Sequence, residues 1–109
     1  MKPEITYEDF SKVELRIATV LAAREHPNAN KLMLLDVDLG DERKQIVAGI
    51  RGHYPADELV GRQIVVVNNL QEAVLRGEES RGMLLAASDG ESVILLRPDR
   101  PCQPGAPVK

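Results

Sequence analysis

The sequence predicts an all-β fold with short helices, and three observations predict it. Apolar and polar residues alternate with a period of two through several short runs. Clusters of Pro, Asn, Asp and Gly separate those runs at even spacing. No strand pattern alternates regularly with long helical patterns, which excludes a parallel βαβ sheet. At 109 residues the chain has the size of one domain, and residues 1–109 read as a single unit. Its core must be aliphatic, because Tyr7, Phe10 and Tyr54 are the only aromatic residues and tryptophan is absent.

The elements follow in order. Thr6 is an N-cap for a short helical turn over residues 7–12, with Asp9 in the capping-box position and Phe10 expected to anchor the turn to the core. From Val13 the period becomes two, with Val13, Leu15, Ile17 and Thr19 on one face of a strand that reaches Ala23. Residues 25–30 are a turn cluster around Pro27. Leu32 to Leu39 is a second strand, in which Leu35, Val37 and Leu39 alternate with Asp36 and Asp38. Gly40-Asp41 is a hairpin turn and Lys44 to Ala48 a third strand. Pro55 to Val60 is a short helix, with Gly61 as its C-cap. Ile64 to Val67 is a buried strand, and residues 69–79 are a long polar loop. Met83 to Ala87 and Ser92 to Leu96 are strands about an Asp89-Gly90 turn. Pro98, Pro101, Pro104 and Pro107 keep the tail extended. Five to seven short strands with one helix after the third argue for a small β-barrel or sandwich, and a barrel with its helix in that place is the pattern of the five-stranded OB-fold.

Composition restricts the function classes. The net charge of −3 argues against indiscriminate nucleic-acid binding, yet a local basic face remains open because binding responds to the local field. One cysteine, Cys102, cannot form an intrachain disulfide, which fits a reducing cytoplasm. No apolar run is long enough to span a membrane, and the N-terminus lacks an apolar signal core. His26 and His53 are the only histidines, and neither has a Cys or His at metal-ligand spacing. Asp36 and Asp38 read as a solvated strand face, and Cys102 has no nearby base. The chain is therefore expected to be neither an enzyme nor dependent on a metal or cofactor.

Two segments stand out. The first is His26-Pro27-Asn28-Ala29-Asn30-Lys31-Leu32, where Pro and Asn either simply build the turn or carry Asn28, Asn30 and Lys31 toward a phosphate or ribose hydroxyl. The second is Asn69-Leu70, Arg76-Gly77 and Ser80-Arg81-Gly82-Met83-Leu84, which reads either as a loop entering a strand or as a basic loop curling over the barrel mouth.

These blocks resemble the tRNA-binding domain family. They are joined by Ile5 to Ala18, by Gln45 to Ile50, by Tyr54 to Gly61, by Ser80 to Ala87 and by Val108-Lys109. Each block is short, but in this order they run nearly end to end. Members of the family include the C-terminal dimerisation domain of many methionyl-tRNA synthetases, free-standing tRNA-binding proteins and a secretion-associated chaperone branch.

The resemblance implies a cytoplasmic homodimer that recognises tRNA by shape, as part of an aminoacyl-tRNA synthetase or as partner to its catalytic chain. The chaperone branch supplies the alternative, a protein- or peptide-binding dimer. By motif position, Lys31, Asn69, Ser80, Gly82 and Met83 would line the RNA face, with Asn28, Asn30, Arg51, Tyr54, Arg76 and Arg81 on the same rim. The N- and C-terminal extensions are expected to form the dimer interface, with Phe10, Val13, Leu15 and Ile17 in it beside the proline-rich tail. One departure stands out: Glu72-Ala73-Val74 occupies the place of a basic triplet in the family pattern.

Overall fold

The computed structural model describes residues 1–109. Helix α1 (Tyr7–Ser11) starts at Thr6, whose Oγ1 accepts a hydrogen bond from the Asp9 N–H at 3.0 Å, as the capping signal requires. The helix buries none of its residues, and Phe10 stays 39% exposed instead of anchoring the core. One turn of helix can present only Tyr7 and Phe10 on a shared face, and the chain covers Phe10 in part and Tyr7 hardly at all.

Strand β1 (Leu15–Glu25) pairs antiparallel with β2 (Met33–Asp38), and β2 pairs with β3 (Arg43–Ala48). Helix α2 (Ala56–Leu59) follows Pro55 and buries Leu59. Its C-cap is Val60, and Gly61 is the next residue, at φ +86°, donating its N–H to Val20 O at 2.8 Å. Strand β4 (Gln63–Val67) returns along the other edge of β1. The segment expected as a loop at 69–79 contains a hairpin instead, β5 (Ala73–Leu75) with β6 (Glu78–Ser80).

The expected strand 83–87 is divided at Leu85 into β7 (Met83–Leu84), on β4, and β8 (Ala86–Asp89), paired with β9 (Ser92–Leu95). The tail ends in β10 (Pro107–Val108), which pairs with the start of β1. The sheet order β3-β2-β1-β4-β7, with α2 between β3 and β4, makes a nearly closed five-stranded OB barrel.

The core is aliphatic, as composition demands. Val20, Leu35, Val37, Leu39, Ile46, Ile50, Leu59, Ile64 and Val66 form one cluster with almost no exposed surface. On β1 the inward set is Ala18 and Val20, not Val13, Leu15, Ile17 and Thr19. Ile17 is buried to 5% exposure but belongs to the opposite face, where the tail crosses it. Alternation reveals two faces; it does not say which is inside when both carry apolar residues.

Arg16 holds the tail in place. Its Nε donates to Gly105 O at 3.0 Å, and its Nη2 donates to Leu39 O at 2.9 Å and to Asp41 Oδ1 at 3.0 Å. The Arg16 hydrogen bond holds the Asp41 carboxyl below the usual aspartate range. A depressed folded-state pKa stabilises the protein above the unfolded value, and that contribution disappears as pH falls through the folded value. Gly105 lies at φ +87°, and a Cβ there would strike Leu39 O and the Arg16 guanidinium. Gly105→Ala is therefore expected to destabilise the fold by roughly 3 kcal/mol, read as a lower urea midpoint at unchanged m.

Candidate nucleic-acid interface

The β5–β6 hairpin folds across β3. Arg76 and Gly77 both have positive φ, at 54° and 90°, as a two-residue hairpin turn of the primed type requires. The β6 end is fastened by Ser80, which is buried. Its Oγ accepts from the Val47 N–H at 3.0 Å and donates to Gly82 O at 3.1 Å. Gln45 Nε2 donates to Glu79 O at 2.9 Å and to Glu78 Oε1 at 3.2 Å, while Gln45 O accepts from the Arg81 N–H at 2.9 Å. Gly82 at φ +115° passes so close to β4 that a Cβ would stand 3.0 Å from Val67 O.

The other end of the hairpin is clasped by His26, only 1% exposed. Its Nδ1 accepts from the Asn28 N–H at 2.9 Å, so its Nε2 carries the proton and donates to Leu75 O at 2.9 Å. The imidazole thus joins the 26–31 turn to the hairpin tip. Arg51 braces the same turn, donating from Nη1 to His26 O at 3.1 Å and Ala29 O at 2.9 Å, and from Nη2 to Glu25 Oε1 at 3.2 Å.

This arrangement sorts the residues expected at the site. Asn28, Asn30 and Lys31 are exposed on the turn, and Arg76 is exposed at the hairpin tip. Lys31 and Arg76 have no carboxylate partner, and the His26 clasp places their segments side by side. Met83, 47% exposed, lies in a groove of about 340 Å³ together with Leu32, Val47, Leu70, Leu75 and Leu84.

Ser80, Gly82 and Arg51 face their own chain and shape the site. Asn69 does the same, because its Oδ1 accepts from the Glu14 N–H at 2.8 Å and its Nδ2 donates to Lys12 O at 2.7 Å. Tyr54 packs against the core, with its hydroxyl accepting from the Leu95 N–H at 3.1 Å. Arg81 does not converge with Lys31 and Arg76. It lines a separate cleft over β3 with Arg43 and Lys44, because β6 carries it past Ser80 to Gln45.

Sequence reading missed Arg43, Lys44 and the clasp at His26. The alternation that puts Ile46 inward gives no sign of what lies across the outer face of β3, and a buried histidine joining two loops leaves no periodic trace.

A barrel with its helix after the third strand and two joined loops over one face defines a small OB-type binding module. The chain belongs to the family described as "Putative tRNA binding domain", whose model matches residues 15–107. It is 58% identical over 104 residues to the methionine–tRNA ligase of Thermotoga maritima, covering 95% of this chain and 16% of that ligase. It is 49% identical over 105 residues to the ligase of Pyrococcus furiosus, covering 96% of this chain and 14% of that one. The chain thus spans only about one-seventh of the length of these relatives.

Among solved structures it is similar to a MetRS related protein from Pyrococcus horikoshii, with TM-score 0.92 and 31% identity over 99% of this chain and 100% of that one. It is similar to the chaperone CsaA from Bacillus anthracis as well, with TM-score 0.89 and 31% identity over 98% and 100% of the two chains.

Replacing His26 by Ala leaves Leu75 O and the Asn28 N–H without their partner. The expected cost is about 1–3 kcal/mol, with amide exchange accelerating in residues 73–80 before the barrel strands.

Proposed function

We propose that the chain is a non-catalytic tRNA-binding module of the kind carried by methionyl-tRNA synthetases, working in the cytoplasm as part of such an enzyme or beside its catalytic chain. The observation that carries this reading is the 58% identity, over 95% of this chain, with a segment of a methionine–tRNA ligase, together with the family match. The site supports it physically. Lys31 and Arg76 stand exposed beside one groove without a carboxylate partner, so each is free to meet a phosphate oxygen. No aromatic side chain lines that groove, so contacts to phosphate and ribose outweigh base stacking and recognition follows the shape of the tRNA.

In the same reading, Asn28, Asn30 and Arg81 extend the face, while Ser80, Gly82, Asn69 and Arg51 hold it in shape. Arg76→Glu should weaken all tRNAs about equally, and the loss should shrink as salt rises. Glu72-Ala73-Val74 leads into β5, where Ala73 and Val74 are exposed. Ala73→Arg with Val74→Lys should tighten binding and steepen the salt dependence without altering the fold. Gel shifts against bulk tRNA over a salt series check both variants, and an Arg76→Glu protein that is folded and binds normally would overturn the proposed face.

The module acts as a homodimer. Ile5, Tyr7, Phe10 and Val13 are exposed around α1, which buries nothing within its own chain. A second copy covering them and the adjacent Leu15 would remove an apolar face from water. Ile17, already buried, has little surface left to offer. Sedimentation equilibrium should give twice the chain mass at micromolar concentration, and Phe10→Glu should shift it toward the monomer.

The apolar groove and the likeness to CsaA favour one second reading, in which the same face takes an extended peptide. An unfolded polypeptide that displaces tRNA from the groove, and loses affinity with Met83→Glu, would favour it.

A further inference from the structure

A second group of cations lies on another part of the barrel, lining a cleft of about 420 Å³ with Thr19 and Gln63 of the β1–β4 pair. In the sheet order, β1 is two strands from β3, which carries the hairpin. Gly61, at φ +86°, turns the chain out of α2 and delivers Arg62, whose guanidinium sits 5.1 Å from the centre of the Tyr54 ring. Arg97 and Arg100 come from the segment that follows β9.

Gln63 holds that segment against the barrel. Its Nε2 donates to Cys102 O at 2.7 Å and to Thr19 Oγ1 at 3.2 Å, and its Oε1 accepts from the Cys102 N–H at 3.1 Å. Pro98 and Pro101 fix φ beside the two arginines, so the backbone that presents them is ordered in advance.

None of the three guanidinium groups has a carboxylate within 4.0 Å, and none donates a side-chain hydrogen bond. Arg16, Arg24 and Arg51 are each paired with an acid elsewhere in the chain. In a chain with more acids than bases, three free guanidiniums facing Asp99 as the only acid in their cleft are not explained by neutralisation. No aliphatic or aromatic side chain other than the two prolines lines the cleft, which disfavours a base or an apolar peptide side chain.

We propose that Arg62, Arg97 and Arg100 form a phosphate-binding site that takes the phosphodiester backbone of the bound RNA. Planar guanidinium forks match phosphate oxygens two at a time, and the cleft is open to solvent, so a strand can reach it. The source of the phosphate rests on the proposed tRNA binding; the oxyanion chemistry of the three arginines does not. The module then grips RNA on two faces, with the hairpin groove reading shape and this cleft adding affinity that depends on salt and not on sequence.

The test uses the full chain and Arg97→Gln with Arg100→Gln, which leaves Arg62 on Tyr54 and removes only exposed side chains. Two measurements are made, bulk tRNA affinity over a salt series and the NMR shifts of the arginine Nε–Hε groups during titration with inorganic phosphate. The expected result is a roughly tenfold weaker affinity, with the log–log salt slope reduced by about 1.5, additive with Arg76→Glu.

Unchanged tRNA affinity with phosphate-dependent shifts at Arg62, Arg97 and Arg100 would keep the oxyanion site and assign it to free phosphate. Unchanged affinity with no such shifts overturns the proposal. A wild-type chain that binds no tRNA defeats the proposed function, and the phosphate titration then decides the site by itself.

Discussion

Strand β1 sets the geometry on which everything else depends. Its eleven residues pair with β2 along the second half, with β4 along the first half and with β10 at the start. A flat strand cannot serve neighbours on both edges and still close a barrel. The register shift between Val20 and Ala22 supplies the bend, since a bulge turns the strand and increases its twist. Inside the bend, Ala18 and Val20 share the core with Met33, Leu35 and Val37 of β2, Ile46 of β3 and Ile64 of β4. With so few aromatic residues, close packing of branched aliphatics must carry the core, and each buried aliphatic side chain contributes about 1.5–3 kcal/mol.

The loops over this barrel are held by hydrogen bonds from buried polar groups, not by apolar packing alone. Ser80, Gln45 and His26 fasten the two ends of the β5–β6 hairpin, and Arg51 fastens the turn beneath it. Lys44 is held the same way, donating to Asn68 O at 3.1 Å and to Asn68 Oδ1 at 2.8 Å. Such groups are costly to leave unpaired, so each fixes a single arrangement of the backbone. Lys31 and Arg76, which have no carboxylate partner, are then presented from two segments tied to each other through the His26 ring. Rigid presentation matters for recognition by shape, because ordering a loose loop on binding would consume much of the energy gained from a few phosphate contacts.

The sequence made the barrel legible because its signals are local. Thr6 with Asp9 marks the start of α1, Pro55 marks α2, and Leu35, Val37 and Leu39 alternate cleanly with Asp36 and Asp38. The failures have physical causes. The three-residue strands of the hairpin are too short to show a period, and Arg76-Gly77 is not the Asn-Gly or Asp-Gly pair that usually marks a tight hairpin. Phe10 reads as a core residue because apolar character does not reveal whether the covering surface belongs to the same chain. The motif residues of the second block prove to be of two kinds, with Ser80 and Gly82 shaping the backbone and Met83 facing the groove. A pattern shared along a family records both kinds alike, and only the hydrogen bonds separate them.

The distribution of charge follows from the same division of labour. Most acids along β1–β3 answer a specific base, as Asp36 does Arg24 and Asp41 does Arg16. Ion pairs engage five of the 14 cations and five of the 17 acids, so the placement of the unpaired groups, not the total of −3, sets the surface a ligand meets. The unpaired cations gather in three places: Lys31 and Arg76 beside the groove, Arg43 and Arg81 over β3, and the arginines beside Gln63. Paired charges contribute little field beyond the Debye length of about 8 Å at physiological salt, whereas grouped unpaired ones add to each other within it. An acidic domain can therefore present a local group of cations without contradiction, because a polyanion responds to the charges within a Debye length of it and not to their sum over the chain.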